Sequence, residues 1–458
     1  MKKSLFAIAA LSAIAGAAQA QSSVTVYGIL DVGYLGTNKS LTTGSTGNTT
    51  TKTTTSAFTQ NAEQTSRLGF RGTEALGGGA SAFFTVELGL TPMNGNITGS
   101  SKAFDAYQGT TNNGGSAVDN RQSFVGYKQT GIGQAALGRQ YTPVFNAGAV
   151  TSPGQYNNLV GDVVYAGGSA GLGSDAAGFA GGSGDSLAFT NRASNAVTAQ
   201  SDRFGGLQLN GMYALNNKNA TQSTASVGGN TNWNGWGLGA DFTWQKLQVT
   251  AAYQSFKTQY TNNVLDSALV TNFGAAATSG QNISACSTSG TTSTPNTAAT
   301  TGSSAGTSTC NTANLSLASN RSDKQTLVGA TYDFGILKAY AQWVGRKIQE
   351  DAAQTTSNGT TAVTAGEQLN RNAQQVGVRS FITPKVEGFA SFGTGKMKAT
   401  YGAATLNFNG FQAGSNYWLS KRTNLYAIYG QTQTSSSSTV AGAGSTANNY
   451  AVGLRHTF

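Results

Sequence analysis

Charged side chains in this sequence lie inside segments where apolar and polar residues alternate. Arg67, Glu87 and Arg192 each occupy the middle of such a segment, on the parity opposite to its Phe, Leu, Val or Ala residues. A guanidinium keeps its charge at any accessible pH, so it supplies a fixed positive charge. These residue types therefore favour electrostatic handling of a solute over the making or breaking of bonds.

Catalytic and metal-binding patterns are weak in comparison. His456 is the single histidine and shares the apolar parity of the last segment, so a Ser-His-Asp site is improbable and a place at a membrane interface is favoured. The GTGK motif at residues 393–396 is followed by Met397, which does not match a phosphate-binding loop. We expect no catalytic residues, no cofactor and no metal site.

Two cysteines, Cys286 and Cys310, lie in one low-complexity segment. If the chain is exported they meet an oxidising compartment, where a loop disulfide is favoured over two free thiols. Metal binding by the pair is improbable because no Cys-x-x-Cys spacing occurs and the one histidine is far away in sequence.

The first twenty residues have the organisation of a secretory signal peptide. Lys2 and Lys3 precede an apolar run from Leu5 to about Gly16, and small residues lead up to Ala20. We expect residues 1–20 to be removed and residues 21–458 to form one domain; the alternative is a retained anchor. Loss of the two lysines lowers the net charge from +10 to +8. A basic exported chain fits anionic lipid or an anionic solute, and export removes nucleic acid as a partner.

Segments of about ten to fourteen residues in which apolar and polar residues alternate recur along the whole chain, which is typical of barrel strands. Composition agrees, because only 10% of residues are charged and Gly reaches 61. No stretch beyond the signal approaches the roughly 18 apolar residues of a membrane helix. We predict sixteen strands, near 23–35, 64–74, 79–90, 120–130, 133–141, 186–200, 205–216, 234–245, 246–258, 323–334, 336–348, 371–382, 386–397, 404–418, 424–433 and 448–458.

The connections between these segments alternate between short and long. Tight turns such as Gly131 to Gly133 alternate along the chain with long segments, among them 36–63, 142–185, 217–233 and 259–322. This alternation is expected when one end of a barrel carries short periplasmic turns and the other carries extracellular loops. Residues 259–322 are rich in Thr, Ser, Ala, Gly and Asn, and they read either as a loop or as a linker between two domains.

The apolar parity of these segments could face a protein core or a lipid bilayer. Several of its members are aromatic and lie near strand ends, as in an aromatic girdle: Trp244, Trp343, Tyr417, Tyr450 and Phe458. Together with export, the even strand number and the alternating connections, this favours hydrocarbon outside and water inside. The fold class predicted is all-β, a 16-stranded antiparallel transmembrane β-barrel.

Several motifs, taken in order, resemble the Gram-negative general porins of the trimeric, sixteen-stranded beta-proteobacterial type. The motifs are SSVTVYGILDVGY at 22–34, SRLGFRGTEALGGG at 66–79, NRQSFVGYK at 120–128, GRQY at 138–141, NRASNAV at 191–197 and the end YAVGLRHTF. The resemblance covers nearly the whole mature chain. It implies an outer-membrane location and a water-filled channel for passive diffusion of small hydrophilic solutes and ions, with a preference for anions.

The same resemblance implies a pore constriction and a set of partners. The third long connection, about 142–185, would fold into the barrel, and Arg67, Arg121 and Arg192 on the wall would face the carboxylates of Glu87 and Asp162. The connection lacks the PEFGG pattern of enterobacterial relatives. Expected partners are two further copies in a homotrimer, outer-membrane lipids, and the barrel assembly machinery, which would read the terminal Phe458.

Other functions remain open at this point. A substrate-specific outer-membrane channel would need an aromatic track or a dedicated site, and the sequence does not display one decisively. A β-barrel hydrolase of the outer membrane is the enzyme alternative. An adhesin or secreted passenger shares the Thr-, Asn- and Gly-rich composition, but no repeat of fixed length is found.

Overall fold

A computed structural model describes eleven stretches of the chain. They are residues 23–43, 49–93, 119–165, 188–224, 227–262, 317–351, 354–355, 361–363, 367–399, 405–436 and 444–458. The expected signal peptide, Cys286 and Cys310 lie outside the described residues. Among the described helices, none is long and apolar enough to cross a bilayer.

Strands make up almost all of the described structure, with one helix, α1, at Pro143–Thr151. The strands are β1 Ser23–Thr43, β2 Thr49–Gln60, β3 Arg67–Gly77, β4 Ala80–Gly89, β5 Asn120–Gln129, β6 Gly133–Tyr141, β7 Arg192–Ser201, β8 Leu207–Thr224, β9 Val227–Trp244, β10 Leu247–Asn262, β11 Leu317–Asp333, β12 Lys338–Glu350, β13 Gln354–Thr355, β14 Thr361–Val363, β15 Glu367–Thr383, β16 Val386–Ala399, β17 Thr405–Trp418, β18 Thr423–Ser436 and β19 Gly444–Thr457.

The wall is a single antiparallel sheet that closes on itself. Successive wall strands pair along the chain, and β1 pairs with β19 over fourteen residue pairs, from Ile29–Thr457 to Thr42–Gly444. Strands β2 and β3 share one position beside β1, and β13 and β14 form a separate hairpin. The described strands therefore fill sixteen positions, and the predicted sixteen-stranded antiparallel barrel is confirmed. Ring closure through β1 and β19 removes the two open edges that a flat sheet would have.

Asp31 holds the break between β2 and β3. Residues 61–66 leave the ladder there, and the Asp31 carboxylate accepts hydrogen bonds from the backbone N–H groups of Glu63 and Gln64, at 2.8 and 2.6 Å. Its other oxygen accepts from the Tyr426 hydroxyl of β18 at 2.6 Å. Asp31 is fully buried, so its bonds fix an inward step in the wall at this height.

Burial is inverted relative to a soluble sheet. Outward positions carry exposed apolar side chains, whereas the inward parity of the same strands carries buried polar ones. On β19, for example, Val452 is 52% exposed and Arg455 is 6% exposed. Outward Tyr450 and Phe458 lie eight residues apart, which is roughly 20 Å along the barrel axis for a strand tilted by about 40°. That spacing is close to the height of an apolar band between two aromatic girdles.

The predicted tight turns are confirmed, but several predicted loops are wrong in extent. β1 runs to Thr43 and β2 begins at Thr49, inside the predicted loop 36–63. Likewise β8 and β9 extend through most of 217–233. These extensions are rich in Thr and Asn without an apolar parity, so periodicity misses them, although cross-strand hydrogen bonds and the β preference of Thr support them. Strand β7 begins at Arg192, six residues later than predicted.

The third long connection enters the barrel. Its described part, residues 142–165, is called the inner loop below. Thr142 begins α1 by accepting a hydrogen bond from the Phe145 N–H, and Pro143 occupies the first turn, where no N–H is needed. The largest buried apolar cluster lies between this loop and the wall from β10 to β17, and includes Val144, Val163, Leu327 and Phe408. The apolar core of this protein is thus the contact between loop and wall.

Candidate functional site

Glu87 on β4 is the centre of a charged cluster on the inner wall. Its Oε1 accepts a hydrogen bond from Arg121 Nε of β5 at 2.7 Å, and Arg67 Nη1 of β3 lies 3.9 Å away. The Tyr27 hydroxyl of β1 donates to Oε2 at 3.2 Å. Glu87 and Arg121 are both buried, at 3% and 8% exposure. Three of the five residues expected at a constriction are therefore in direct contact.

Tyr141 connects a fourth predicted residue to this cluster. Arg121 Nη2 donates to the Tyr141 hydroxyl at 2.7 Å, and the Arg192 guanidinium lies 5.9 Å from the Tyr141 ring centroid. Phe145 of α1 stacks on the same ring at 4.1 Å, so the inner loop meets the wall here. The Nε and Nη1 atoms of Arg192 are buried without a hydrogen-bond partner among the described residues. Tyr141 was not among the sequence candidates.

Two strand pairs depart from regular alternation at this height. The β4–β5 register shifts between Glu87 and Leu88, the β6–β7 register shifts between Gly138 and Gln140, and Asn195 has a φ of 52°. Such bulges insert an extra residue into one strand, so the side chains beyond the bulge switch to the opposite face of the sheet. Arg121 consequently points inward although it shares its parity with outward-facing Val125. Gly138 and Asn195 are types that tolerate positive φ, and they were the available sequence signal.

Arg139 adds a further cation to this wall. Its Nε donates to the Asn120 carbonyl at 2.8 Å and its Nη1 donates to Ser194 Oγ at 2.6 Å, which joins β5, β6 and β7. We call Arg67, Arg121, Arg139 and Arg192 the arginine cluster. Asp119 adds a second carboxylate that acts on Arg121 and Arg192. Four guanidinium groups against the two carboxylates of Glu87 and Asp119 give this part of the described wall a net positive charge.

Asp162 is not brought to the arginine cluster. It lies in the inner loop at 3% exposure, and its carboxylate accepts hydrogen bonds from the backbone N–H groups of Val164 and Tyr165, at 3.0 and 2.8 Å, and from Ser152 Oγ at 3.3 Å. Burial raises the pKa of this carboxyl above its ordinary value, and the hydrogen bonds oppose that rise. Its contacts stabilise the turn of the loop.

A row of buried glutamines fastens the inner loop and its return segment to the wall. Each member lies on the inward face of a different strand and hydrogen-bonds the backbone of residues 142–165 or of Thr190; the row is Gln254, Gln325, Gln342, Gln375 and Gln412. Gln412 alone donates to the carbonyls of Leu159 and Val160, both at 2.9 Å. Sequence reasoning missed this row, although inward parity in mid-strand was its signal.

Both backbone polar groups of Val163 are hydrogen-bonded to the wall. Its N–H donates to Gln375 Oε1 at 3.0 Å, and its carbonyl accepts from Arg371 Nη2. Wall glycines leave space for the loop backbone, and a Cβ at Gly430 would stand 1.8 Å from the Val160 carbonyl oxygen. The path of the loop is therefore fitted to this half of the wall, opposite the arginine cluster.

Comparison with known proteins agrees with this architecture. The Gram-negative porin family model matches residues 7–283, and the chain belongs to that family, whose members reside in the outer membrane. An outer membrane porin protein of Bordetella pertussis is 35% identical over 144 residues, which are 31% of this chain and 34% of that protein. Outer membrane porin protein 32 of Delftia acidovorans is 44% identical over 99 residues, 22% and 25% of the respective chains. The chain thus aligns with only about a third and a quarter of these relatives.

Solved structures extend the likeness of fold to nearly the whole chain. An anion-selective porin from Comamonas acidovorans superposes with a TM-score of 0.56 at 19% identity, covering 96% of this chain and 100% of that one. The outer membrane channel DcaP of Acinetobacter baumannii superposes with a TM-score of 0.52 at 10% identity, covering 95% and 97%. At these identities the likeness concerns the fold.

Proposed function

We propose that this protein forms a water-filled channel, and not an enzyme, through which small hydrophilic solutes and ions diffuse across the outer membrane, with a preference for anions. The observation that carries the proposal is the inverted burial of the closed wall. Val376 and Leu238 are outward and exposed, whereas Gln375 and Arg379 are inward and buried. An apolar outer face and a polar inner face are typical of a membrane barrel that encloses a water-filled lumen.

The anion preference is supported by the charge balance beside Tyr141. The four members of the arginine cluster outnumber the carboxylates of Glu87 and Asp119, so an ion passing this height experiences a positive potential. Charges along a narrow passage with low-dielectric walls act more strongly than charges in bulk water. In this proposal Arg67, Arg121, Arg192 and Glu87 form one side of the constriction, and Asp162 contributes by holding the inner loop on the other.

Reversal potential across a salt gradient tests the charge assignment. Full-length mature protein in a planar bilayer should show anion preference, and Arg67→Ala and Arg192→Ala should each reduce it. Arg422→Ala, which removes an exposed turn arginine, is the matched control and should leave it unchanged. Unchanged ion preference in both cluster variants would overturn the site assignment, and the absence of any conductance would overturn the channel.

A homotrimer is supported by the unequal height of the wall. Strands β3 to β7 have nine to eleven residues, whereas β8 to β12 have thirteen to eighteen. The low part still carries outward apolar side chains, including Val125 at 59% and Leu137 at 58% exposure. We propose that neighbouring copies cover this part and lipid covers the taller part. Mass measurement of the detergent-extracted assembly checks the copy number. Recognition of Phe458 by the assembly machinery stays a prediction.

A further inference from the structure

A cleft of about 170 Å³ opens in the inner wall between the arginine cluster and the short turns. Strands β5 to β8 form its floor, and Pro143 of α1 lies at its upper edge. One water occupies roughly 30 Å³ in the liquid, so the cleft has room for a small organic molecule. A solute that has passed the arginine cluster towards the short-turn end would meet this cleft.

Amide side chains dominate the lining, and no lining residue carries a formal charge. Six amides contribute: Gln122, Gln134, Gln140, Asn146, Gln200 and Asn210. Two aromatic rings, Phe124 and Tyr141, lie among them. This composition differs from the wall immediately above it, where guanidinium groups prevail.

Several of these amides have hydrogen-bonding capacity that the described protein does not use. Asn210 Oδ1 has no hydrogen-bond partner among the described residues, but it is enclosed against Gly239 of β9. The amides of Gln122 and Asn146 have no hydrogen-bond partner among the described residues, whereas Gln140 is committed to Thr198 and to the Ala136 carbonyl. Amides that line a cleft without a protein partner are available to water or to a ligand. The cleft therefore presents both donors and acceptors to whatever occupies it.

We propose that this cleft is a low-affinity binding site for an uncharged saccharide on its way through the channel. A sugar hydroxyl both donates and accepts, and so does an amide side chain through its NH₂ and its oxygen. The apolar face of a sugar ring fits beside an aromatic ring, and the uncharged lining offers no ion-pair partner for an ammonium or a carboxylate group. The proposal deepens the proposed function and depends on it.

Current through the reconstituted full-length mature protein tests the site. Glucose and maltose, added to either side of a planar bilayer, should reduce the ion current saturably beyond the effect of viscosity. Gln122→Met and Asn146→Leu remove hydrogen-bonding groups that the folded protein does not otherwise use, and each should weaken the apparent affinity about five-fold. Gln248→Met is the matched control, because Gln248 is an inward amide near the short-turn end that does not line the cleft.

The outcomes separate the site from the channel. Saturable block that weakens in the two cleft variants and persists in the control supports the site. Normal conductance without saccharide block, or block of equal strength in all variants, overturns the site and leaves the channel standing. Absence of conductance in the wild-type protein overturns both. Heat-modifiable migration of each variant establishes that it folds.

Discussion

Replacing Glu87 by Gln is the sharpest test of the electrostatics at the arginine cluster. Glu87 lies 2.7 Å from Arg121 Nε and 3.9 Å from Arg67 Nη1. The amide oxygen of Gln keeps nearly the same shape and can still accept a hydrogen bond from Arg121. The change therefore raises the local charge by one unit while disturbing the wall little, and we expect a stronger preference for anions.

The size of the effect follows from Coulomb's law in a wet lumen. An ion passing about 5 Å from the lost carboxylate experiences a change of about 0.8 kcal/mol in water, and screening at 0.1 M salt leaves roughly 0.5 kcal/mol. That energy corresponds to about a two-fold change in the permeability of each ion. Because the permeability of anions rises and that of cations falls, the anion-to-cation permeability ratio should rise about five-fold. At 1 M salt the Debye length is about 3 Å, so most of the effect should disappear.

Reversal potentials at 0.1 M and 1 M salt measure this ratio directly. Glu387→Gln is the matched control, since Glu387 is also an inward carboxylate that binds an arginine, Arg379, but lies at the short-turn end of β16. Its removal should change the ratio less. A Glu87→Gln channel with an unchanged ratio at 0.1 M, or with a shift towards cations, would refute the placement of this carboxylate beside the ion path.

Three further predictions concern the inner loop. Gly430→Val should displace the loop, because a Cβ would stand 1.8 Å from the Val160 oxygen; a single-channel conductance equal to wild type would contradict this. Gln412→Ala removes both hydrogen bonds from its amide to loop carbonyls and should cost about 2 kcal/mol of unfolding free energy, measured by urea unfolding in lipid. Burial raises the Asp162 pKa, so the folded state binds its proton more tightly. Between the ordinary and the raised pKa, acidification should stabilise wild type relative to Asp162→Asn, and equal pH slopes of the unfolding midpoint would disprove it.

Much of the fold follows from local pattern. Period-two alternation assigns each strand residue to one of two faces, and the turn residues mark one end of the barrel. Val452 outside and Arg455 inside on β19 are where the alternation predicts them. The sixteen segments and the short turns could also be predicted, because the conformation of each depends on residues within a few positions along the chain.

The candidate site was only partly readable from the sequence. Glu87, Arg67 and Arg121 do meet, but Tyr141 and Arg139 complete the arrangement through side-chain hydrogen bonds that depend on how the bulges aim each residue, which the period of one strand does not encode. Asp162 was expected across from the arginines. Whether that acid faces the lumen depends on how its loop turns, and its carboxylate is engaged by its own backbone.

The sequence by itself determined the class of fold, the two faces of the sheet and the surplus of inward arginines, since these depend on residue type and spacing along one strand. Only the tertiary structure decided which side chains share the narrow part of the barrel. Bulges at Gly138 and Asn195 re-aim the wall, and glutamines from distant strands fix the inner loop against it. Those features arise from hydrogen bonds between segments far apart in the chain, and periodicity within one segment carries no information about them.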